Sequence, residues 1–96
     1  MKFFSKQPND HLDYDIVLSD WLADGDEIVS VTWGPIDNPQ SGKPTGIDVT
    51  GVDTFPDRVK IWITGGESGV EYKFSPLIYT QSRVKEVDFI ILVVDI

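Results

Sequence analysis

Residues 61–74 constrain the fold more than any other segment, because they read as a strand, a glycine turn and a second strand. Val59, Ile61 and Ile63 alternate with polar or outward positions, which is the two-residue period of a half-buried strand. Three glycines within residues 65–69 then supply the backbone freedom that a reversal of the chain requires. No catalytic side chain lies between the two strands. The segment therefore predicts a β-sandwich module rather than an enzyme.

Length and composition limit the architecture further. A chain of 96 residues predicts one domain, with too little sequence for a second domain built around a cleft. The sequence has no cysteine, which excludes disulfides, thiolate chemistry and cysteine metal sites and fits a reducing compartment. The longest apolar run, residues 89–94, has the length of a strand, and residues 1–8 lack the apolar region of a signal peptide. We expect a soluble chain, made in the cytoplasm and not inserted in a membrane.

The formal charge of −8 is unevenly distributed. Residues 1–57 contain eleven acidic residues and three lysines, whereas residues 58–96 contain five acidic and five basic residues. An acidic protein repels phosphate backbones, so direct binding of nucleic acid is not expected. Two interpretations of the acidic surplus remain: it keeps the protein in solution, or it forms a surface that meets a basic partner.

The alternation of apolar and polar residues predicts further strands. In the strand predicted at residues 27–33, Val29, Val31 and Trp33 form the apolar face. Residues 34–46 contain three prolines and three glycines and are predicted to form a long loop. The remaining strands are predicted at residues 14–19, 45–53, 59–64, 70–79 and 87–94.

Six or seven short strands without a helical period predict an all-β fold, an immunoglobulin-like or fibronectin type III-like antiparallel β-sandwich. We assign this single domain to residues 12–96 and an extended N-terminal arm of little intrinsic order to residues 1–11. Tyrosines near the start of the penultimate strand of such sandwiches often bond back to the preceding turn. Tyr72 is the candidate for that hydrogen bond, with ordinary core packing as the alternative.

The sequence contains little that could support catalysis or metal binding. His11 is the single histidine, and no second histidine or cysteine accompanies it. The oxygen-rich corner at residues 20–27 superficially suggests calcium but lacks the spacing of an EF-hand, so turn formation explains it better. No GxSxG motif is present for a serine nucleophile. We predict no catalytic residues, no metal and no cofactor.

Several apolar side chains are predicted to contact other proteins. Trp62 points away from the core face of its strand, so either a partner or the chain's own arm covers it. Phe3 and Phe4 form an aromatic tip that either docks on a neighbouring subunit or frays. The apolar second face of the last strand is covered by the arm or by another subunit. The predicted interface residues are Phe3, Phe4, Lys6, Trp62, Ile90 and Leu92.

A family resemblance rests on residues distributed over nearly the whole chain. They are Lys6-x-Pro8-x-x-x-Leu12-Asp13-Tyr14, Asp20-Trp21-Leu22-Ala23-x-Gly25-Asp26-x-Ile28-x-Ser30, Trp62-x-x-Gly65-Gly66-x-x-Gly69-x-x-Tyr72 and Arg83. In this combination the chain resembles the fiber-tail adaptor group of small tailed-phage virion proteins, whose members are immunoglobulin-like. It departs from that group at residues 74–79 and 81–83, where the family tends to have a threonine-rich strand and a Thr-Ser-x-Gly-Arg hairpin.

The resemblance implies a structural role in a bacteriophage virion. It implies a non-enzymatic adaptor, present in several copies, that bridges the tail or neck to tail fibres. Its partners would be other virion proteins of the tail, neck or fibre, or of the portal or capsid, and it would be synthesised in the host cytoplasm. Two alternatives stay open: a capsid decoration or head-completion protein, and a ligand-binding or hydrolytic module with a cleft near His11 or the corner at residues 20–27.

Overall fold

A computed structural model describes residues 2–33 and 46–95. None of these residues is helical, so this part of the chain also contains no helix that could span a membrane. The predicted loop at residues 34–46 lies outside the described residues, apart from Gly46. The strands are β1 (Lys2–Lys6), β2 (His11–Val17), β3 (Ile28–Thr32), β4 (Ile47–Thr54), β5 (Arg58–Gly65), β6 (Glu71–Phe74), β7 (Leu77–Thr80), β8 (Val84–Glu86) and β9 (Phe89–Val93).

The strands form three small sheets, with the orders β1-β9-β6, β2-β5-β4 and β3-β7-β8. Every pairing is antiparallel except that of β1 with β9, which is parallel. The all-β class predicted from the sequence is therefore confirmed, and the arrangement is consistent with a β-sandwich.

The last four strands form one hairpin that bends between two sheets. β6 pairs with β9, whereas β7 pairs with β8. Between these two pairs the N–H of Val87 donates to the carbonyl of Pro76 at 3.1 Å, so hydrogen bonding continues across the bend. Proline has no N–H to donate and favours irregular positions in a sheet. Each of the two long strands predicted at residues 70–79 and 87–94 is thus divided in two.

The core consists of the inward faces that the alternation predicted. Phe74 and Phe89 lie at its centre with their rings stacked, 4.9 Å between centroids and 7° between planes. Neighbouring positions on the same strands are exposed or half-buried, as a two-residue period requires. The buried apolar side chains include Tyr14, Ile16, Leu18, Val59, Ile61, Ile63, Ile91 and Val93.

The glycine turn after β5 and the inward face of β3 also differ from the sequence prediction. The glycine turn after β5 does separate two strands, but β5 and β6 belong to different sheets, so the turn carries the chain from one sheet to another. Val29 was predicted to face inward and is 53% exposed. A β-bulge between Ile28 and Ser30 shifts the register, so that Ile28 is buried in its place.

The N-terminal arm is an integral strand in this structure. β1 runs parallel to β9, with Phe3 opposite Ile90 and Ser5 opposite Leu92. The hydroxyl of Tyr14 donates to the carbonyl of Ser5 at 3.2 Å, which joins β1 to β2 as well. Residues 2–6 of the predicted arm are thus extended and paired with β9, and the division into an arm at residues 1–11 and a domain at residues 12–96 stays a prediction. The arm extends the sheet at the edge of β9 and does not cover the outer face of that strand.

Candidate interaction surfaces

The six predicted interface residues lie in three different environments. Phe3, Ile90 and Leu92 point outward from the sheet β1-β9-β6. Trp62 lies on the outward side of the sheet β2-β5-β4. The side chains of Phe4 and Lys6 are directed into the domain and are described last.

The first surface, which we call the N-terminal patch, consists of Phe3, Ile90 and Leu92. Phe3 is 68% exposed, and the other two side chains are half-buried. They lie together because Phe3 is in register with Ile90, two residues before Leu92 on the same face of β9. On the other side of β9, Lys73 is opposite Ile90 and Glu71 is opposite Leu92. The patch is therefore apolar with charged residues along one border.

The second surface, the Trp62 face, surrounds a half-buried indole. Its Nε1 donates to a carboxylate oxygen of Asp53 at 3.3 Å, and the ring of His11 meets the indole edge-on, 5.6 Å between centroids. Gly51 lies opposite Trp62, next to a β-bulge, and a Cβ there would be in ordinary van der Waals contact with the indole, 3.5 Å from Cδ1. The contacts with Asp53 and His11 thus hold the indole on this face. The face consists of the outward residues His11, Asp13, Asp15, Asp48, Asp53, Lys60 and Trp62.

Carboxylates dominate the electrostatics of the Trp62 face. Lys60 is its one lysine, and its ammonium group lies 2.8 Å from Asp13 and 3.5 Å from Asp15. The hydrogen bond from Lys60 holds the pKa of Asp13 below its usual range, and the same bond raises the pKa of Lys60. Asp48 and Asp53 are exposed and have no lysine or arginine within salt-bridge distance among the described residues. The face therefore presents negative charge around a central aromatic side chain.

His11 contributes to this face through its contact with Trp62 and through one hydrogen bond. Its Nε2 lies 2.7 Å from the hydroxyl of Thr50. The described residues contain no cluster of three or more histidine, aspartate or glutamate side chains that could hold a metal ion. The geometry thus gives His11 a packing and hydrogen-bonding role beside the indole.

The corner at residues 20–27 is organised by Asp26. Its carboxylate accepts hydrogen bonds from the hydroxyls of Thr80 (2.8 Å) and Ser82 (2.9 Å) and from the amide of Gln81 (3.1 Å). Burial raises the pKa of this carboxyl, but these bonds and that from the amide of Glu27 outweigh burial and lower it. The carboxylate of Asp26, one of the four acidic side chains of this corner, is therefore occupied by donors of the β7–β8 turn.

Arg83 completes the same corner. Its guanidinium lies over the ring of Trp21, 4.0 Å from the centroid, and donates to the carbonyl of Trp21 at 2.8 Å. It also lies 3.9 Å from the carboxylate of Asp26. Trp21, Asp26 and Arg83 are three of the residues that carry the family resemblance, and here they join the corner after β2 to the β7–β8 turn.

Tyr72 makes the hydrogen bond predicted from the sequence. The amide of Glu67, five residues earlier in the glycine turn, donates to the hydroxyl oxygen of Tyr72 at 2.9 Å. The phenol is almost fully buried, with 6% of its surface exposed. Tyr72 therefore fixes the turn between β5 and β6 to the core.

Lys6 and Phe4 have internal roles in the structure. Lys6 is only 3% exposed, and its ammonium group donates to the carbonyls of Gln7 (2.6 Å), Gly65 (2.5 Å) and Pro8 (3.4 Å). Burial lowers the pKa of Lys6, while Asp10 acts in the opposite direction. The ring of Phe4 packs against the rings of Tyr14 and Phe89, at 4.9 and 5.9 Å. Both side chains hold β1 on the domain, so a partner contact for them stays a prediction without support from their position.

Comparison with known proteins identifies the family. No curated protein matches this sequence. Residues 6–92 match the family Gp77, described as podophage GP4 fiber-tail adaptor protein gp77. The match includes the Trp62 face, the Asp26 corner, Tyr72 and most of β9. It confirms the resemblance stated from the sequence, and the chain belongs to the podophage GP4 fiber-tail adaptor family.

Proposed function

We propose that this protein is a non-enzymatic structural adaptor that bridges the phage tail or neck to tail fibres. The observation that carries the proposal is the family match over residues 6–92, which assigns a fiber-tail adaptor role in the virion to relatives of this chain. We further propose several copies per particle, because assemblies of identical chains are usually closed and symmetric.

The strand order supports an immunoglobulin-like sandwich for this adaptor. β6 and β7 form one arm of the bent hairpin, and β8 and β9 form the other. When each arm is counted as one strand, one layer has the order β3, β6–β7, β8–β9, β1. The other layer is β2-β5-β4. Immunoglobulin sandwiches place the second, fifth and fourth strands in one sheet and the third, sixth and seventh in the other. With β1 as the first strand, the second to seventh strands follow that scheme, whereas β1 pairs with β9 in the other layer and not with the second strand.

Two surfaces suit an adaptor that holds different partners. The N-terminal patch presents exposed apolar area, which favours contact with an apolar surface. The Trp62 face combines an oriented indole with surrounding carboxylates, which favours a basic surface. In such interfaces aromatic side chains supply much of the binding energy, and charges set orientation and association rate. We assign tail and fibre binding to these two faces without specifying which partner each one binds.

Cross-linking of purified phage particles tests the proposal. Lys2 and Lys73 lie beside the N-terminal patch, and Lys60 lies on the Trp62 face, so an amine-reactive reagent reports on both surfaces. Mass spectrometry should identify links from these lysines to tail, neck or fibre proteins. Links confined to the major capsid protein would instead indicate a decoration protein, and absence of the chain from particles would refute a virion role.

A further inference from the structure

In the part of the chain that the structure describes, β8 is an edge strand of the third sheet. β8 pairs with β7 on one side, and no strand among the described residues pairs with it on the other. Both outward side chains of this strand, those of Val84 and Glu86, are exposed. An open edge exposes main-chain donors and acceptors that another chain can use.

The hydrogen bonds around β8 show which main-chain groups face this edge. The amide of Thr80 donates to the carbonyl of Arg83 at 2.8 Å, and the amide of Val87 donates to the carbonyl of Pro76 at 3.1 Å. Bonded and non-bonded pairs alternate along antiparallel strands, so the main-chain groups of residues 83, 85 and 87 face β7. The N–H and C=O groups of Val84 and Glu86 therefore point away from β7, toward the free edge.

A groove of about 530 Å³ lies beside residues 85–88, at the end of β8 that leads to β9. Leu18 and Val87 provide the apolar part of its lining, and both belong to or pack against the core. The groove ends where β1 begins, since the amide of Lys2 donates to the carbonyl of Asp88 at 3.4 Å. A strand added to β8 would thus continue the line that β1 follows along β9. The full lining is Lys2, Leu18, Lys85, Glu86, Val87 and Asp88.

We propose that the free edge of β8 and this groove receive an extended segment of another virion protein, which joins the sheet as an additional strand. The segment bonds to the main-chain groups of Val84 and Glu86 and places one apolar side chain against Leu18 and Val87. A second copy of this chain is disfavoured as the occupant, because two molecules of formal charge −8 repel each other. The inference rests on the proposed adaptor function and specifies how one of its partners is held.

Hydrogen–deuterium exchange on the free chain and on purified phage particles tests this placement. In the free chain the amides of Val84 and Glu86 should exchange rapidly, whereas that of Lys85 is protected by β7. In particles the peptide covering residues 84–88 should become at least tenfold more protected. Equal exchange in both states, with the chain present on tails, would overturn the inference and leave the adaptor role intact. Absence of the chain from tails would refute the adaptor role itself.

Two substitutions at one position separate main-chain from side-chain contributions. Glu86→Pro removes an outward N–H without removing a bond to β7, and proline is tolerated in edge strands. Glu86→Ala removes only the side chain. Retention on particles should fall at least tenfold for Glu86→Pro and stay near wild type for Glu86→Ala, with unchanged Tm for both free chains. Equal retention of the two variants would refute the main-chain contact.

The same variants test the alternative occupant. Light scattering on the free wild-type chain should show a monomer over a wide concentration range. A concentration-dependent dimer that is lost in Glu86→Pro would assign the edge to a second copy and overturn the proposal. If Glu86→Pro fails to fold, the exchange experiment on the wild-type chain decides alone.

Discussion

Gly66 should be the least replaceable glycine of the β5–β6 turn, because its position combines a backbone and a packing constraint. Its φ is +96°, a conformation that costs an L-residue about 1–2 kcal/mol. An added Cβ would lie 2.7 Å from Val93 Cγ2, 3.3 Å from Tyr72 Cε2 and 3.4 Å from Ile47 Cδ1. Val93 is fully buried, so it cannot move without displacing other core side chains, and such overpacking costs about 1–3 kcal/mol.

The net loss expected for Gly66→Ala follows from these two costs. Alanine also restricts the unfolded chain relative to glycine, which returns about 0.4–1 kcal/mol of stability. We therefore expect Gly66→Ala to lower the free energy of unfolding by about 1–4.5 kcal/mol, with about 3 kcal/mol at the centre of that range. Urea denaturation monitored by tryptophan fluorescence measures this loss, provided that the slope with denaturant concentration stays unchanged.

Gly69→Ala is the matched control for the packing contribution. Gly69 has a φ of +85°, and a Cβ added there would meet no atom within 4 Å. The backbone cost is therefore similar, and we expect a loss of only about 1 kcal/mol. The difference between the two variants isolates the contact with Val93 and its neighbours. Equal losses would refute the packing argument and leave the positive φ as the whole explanation.

Three further predictions concern individual side chains. Trp62→Ala should leave the free domain folded and weaken retention on particles by about 2 kcal/mol, roughly 30-fold in Kd; an equal loss of folding stability would place its role in the core. Lys6→Met should lower the free energy of unfolding by about 2 kcal/mol in urea titrations, because the carbonyls of Gln7 and Gly65 lose a charged donor; an unchanged midpoint would contradict this. The pKa of Asp26 is lowered in the folded state, so its stabilising contribution is present above the unfolded pKa and lost as pH falls through the folded value. The unfolding free energy of Asp26→Asn should therefore fall less than that of the wild type between pH 6 and pH 3, and parallel pH profiles would refute this.

The strand faces could be predicted from the sequence because burial in a strand follows a local two-residue period. Val59, Ile61 and Ile63 are buried as expected, and the outward direction of Trp62 follows from their alternation. Bulges could not be predicted in this way, because an extra residue is a property of two paired strands. This is why Val29 was assigned to the wrong face.

The positions of β1 and Lys6 depend on contacts that are remote in sequence. Composition indicated an arm of little order, but residues 2–6 pair with a strand more than 80 residues away. Lys6 resembles a surface lysine in its local sequence. It is buried because the carbonyls of two separate turns, at Gln7 and Gly65, lie close enough to receive its ammonium group. Neither arrangement leaves a periodic pattern in the sequence.

The residues that identified the family mostly maintain the fold. Trp21, Asp26 and Arg83 organise one corner, and Tyr72 fixes the glycine turn. Among the residues that carry the resemblance, Asp13 and Trp62 lie on a face that we assign to a partner. A family motif can therefore reveal the architecture while leaving the choice of partner to other positions.

The edge of β8 illustrates why partner binding is harder to infer from side chains than the fold is. The contact proposed there is made by the N–H and C=O groups of Val84 and Glu86, which every non-proline residue possesses. The side chains at these positions are therefore free to vary as long as the strand stays extended and lacks proline. Such a site has no sequence motif to detect, and only the register of β7 with β8 indicates which main-chain groups are available. Recognition through the edge would also allow an adaptor to keep one mode of attachment while its surface side chains change.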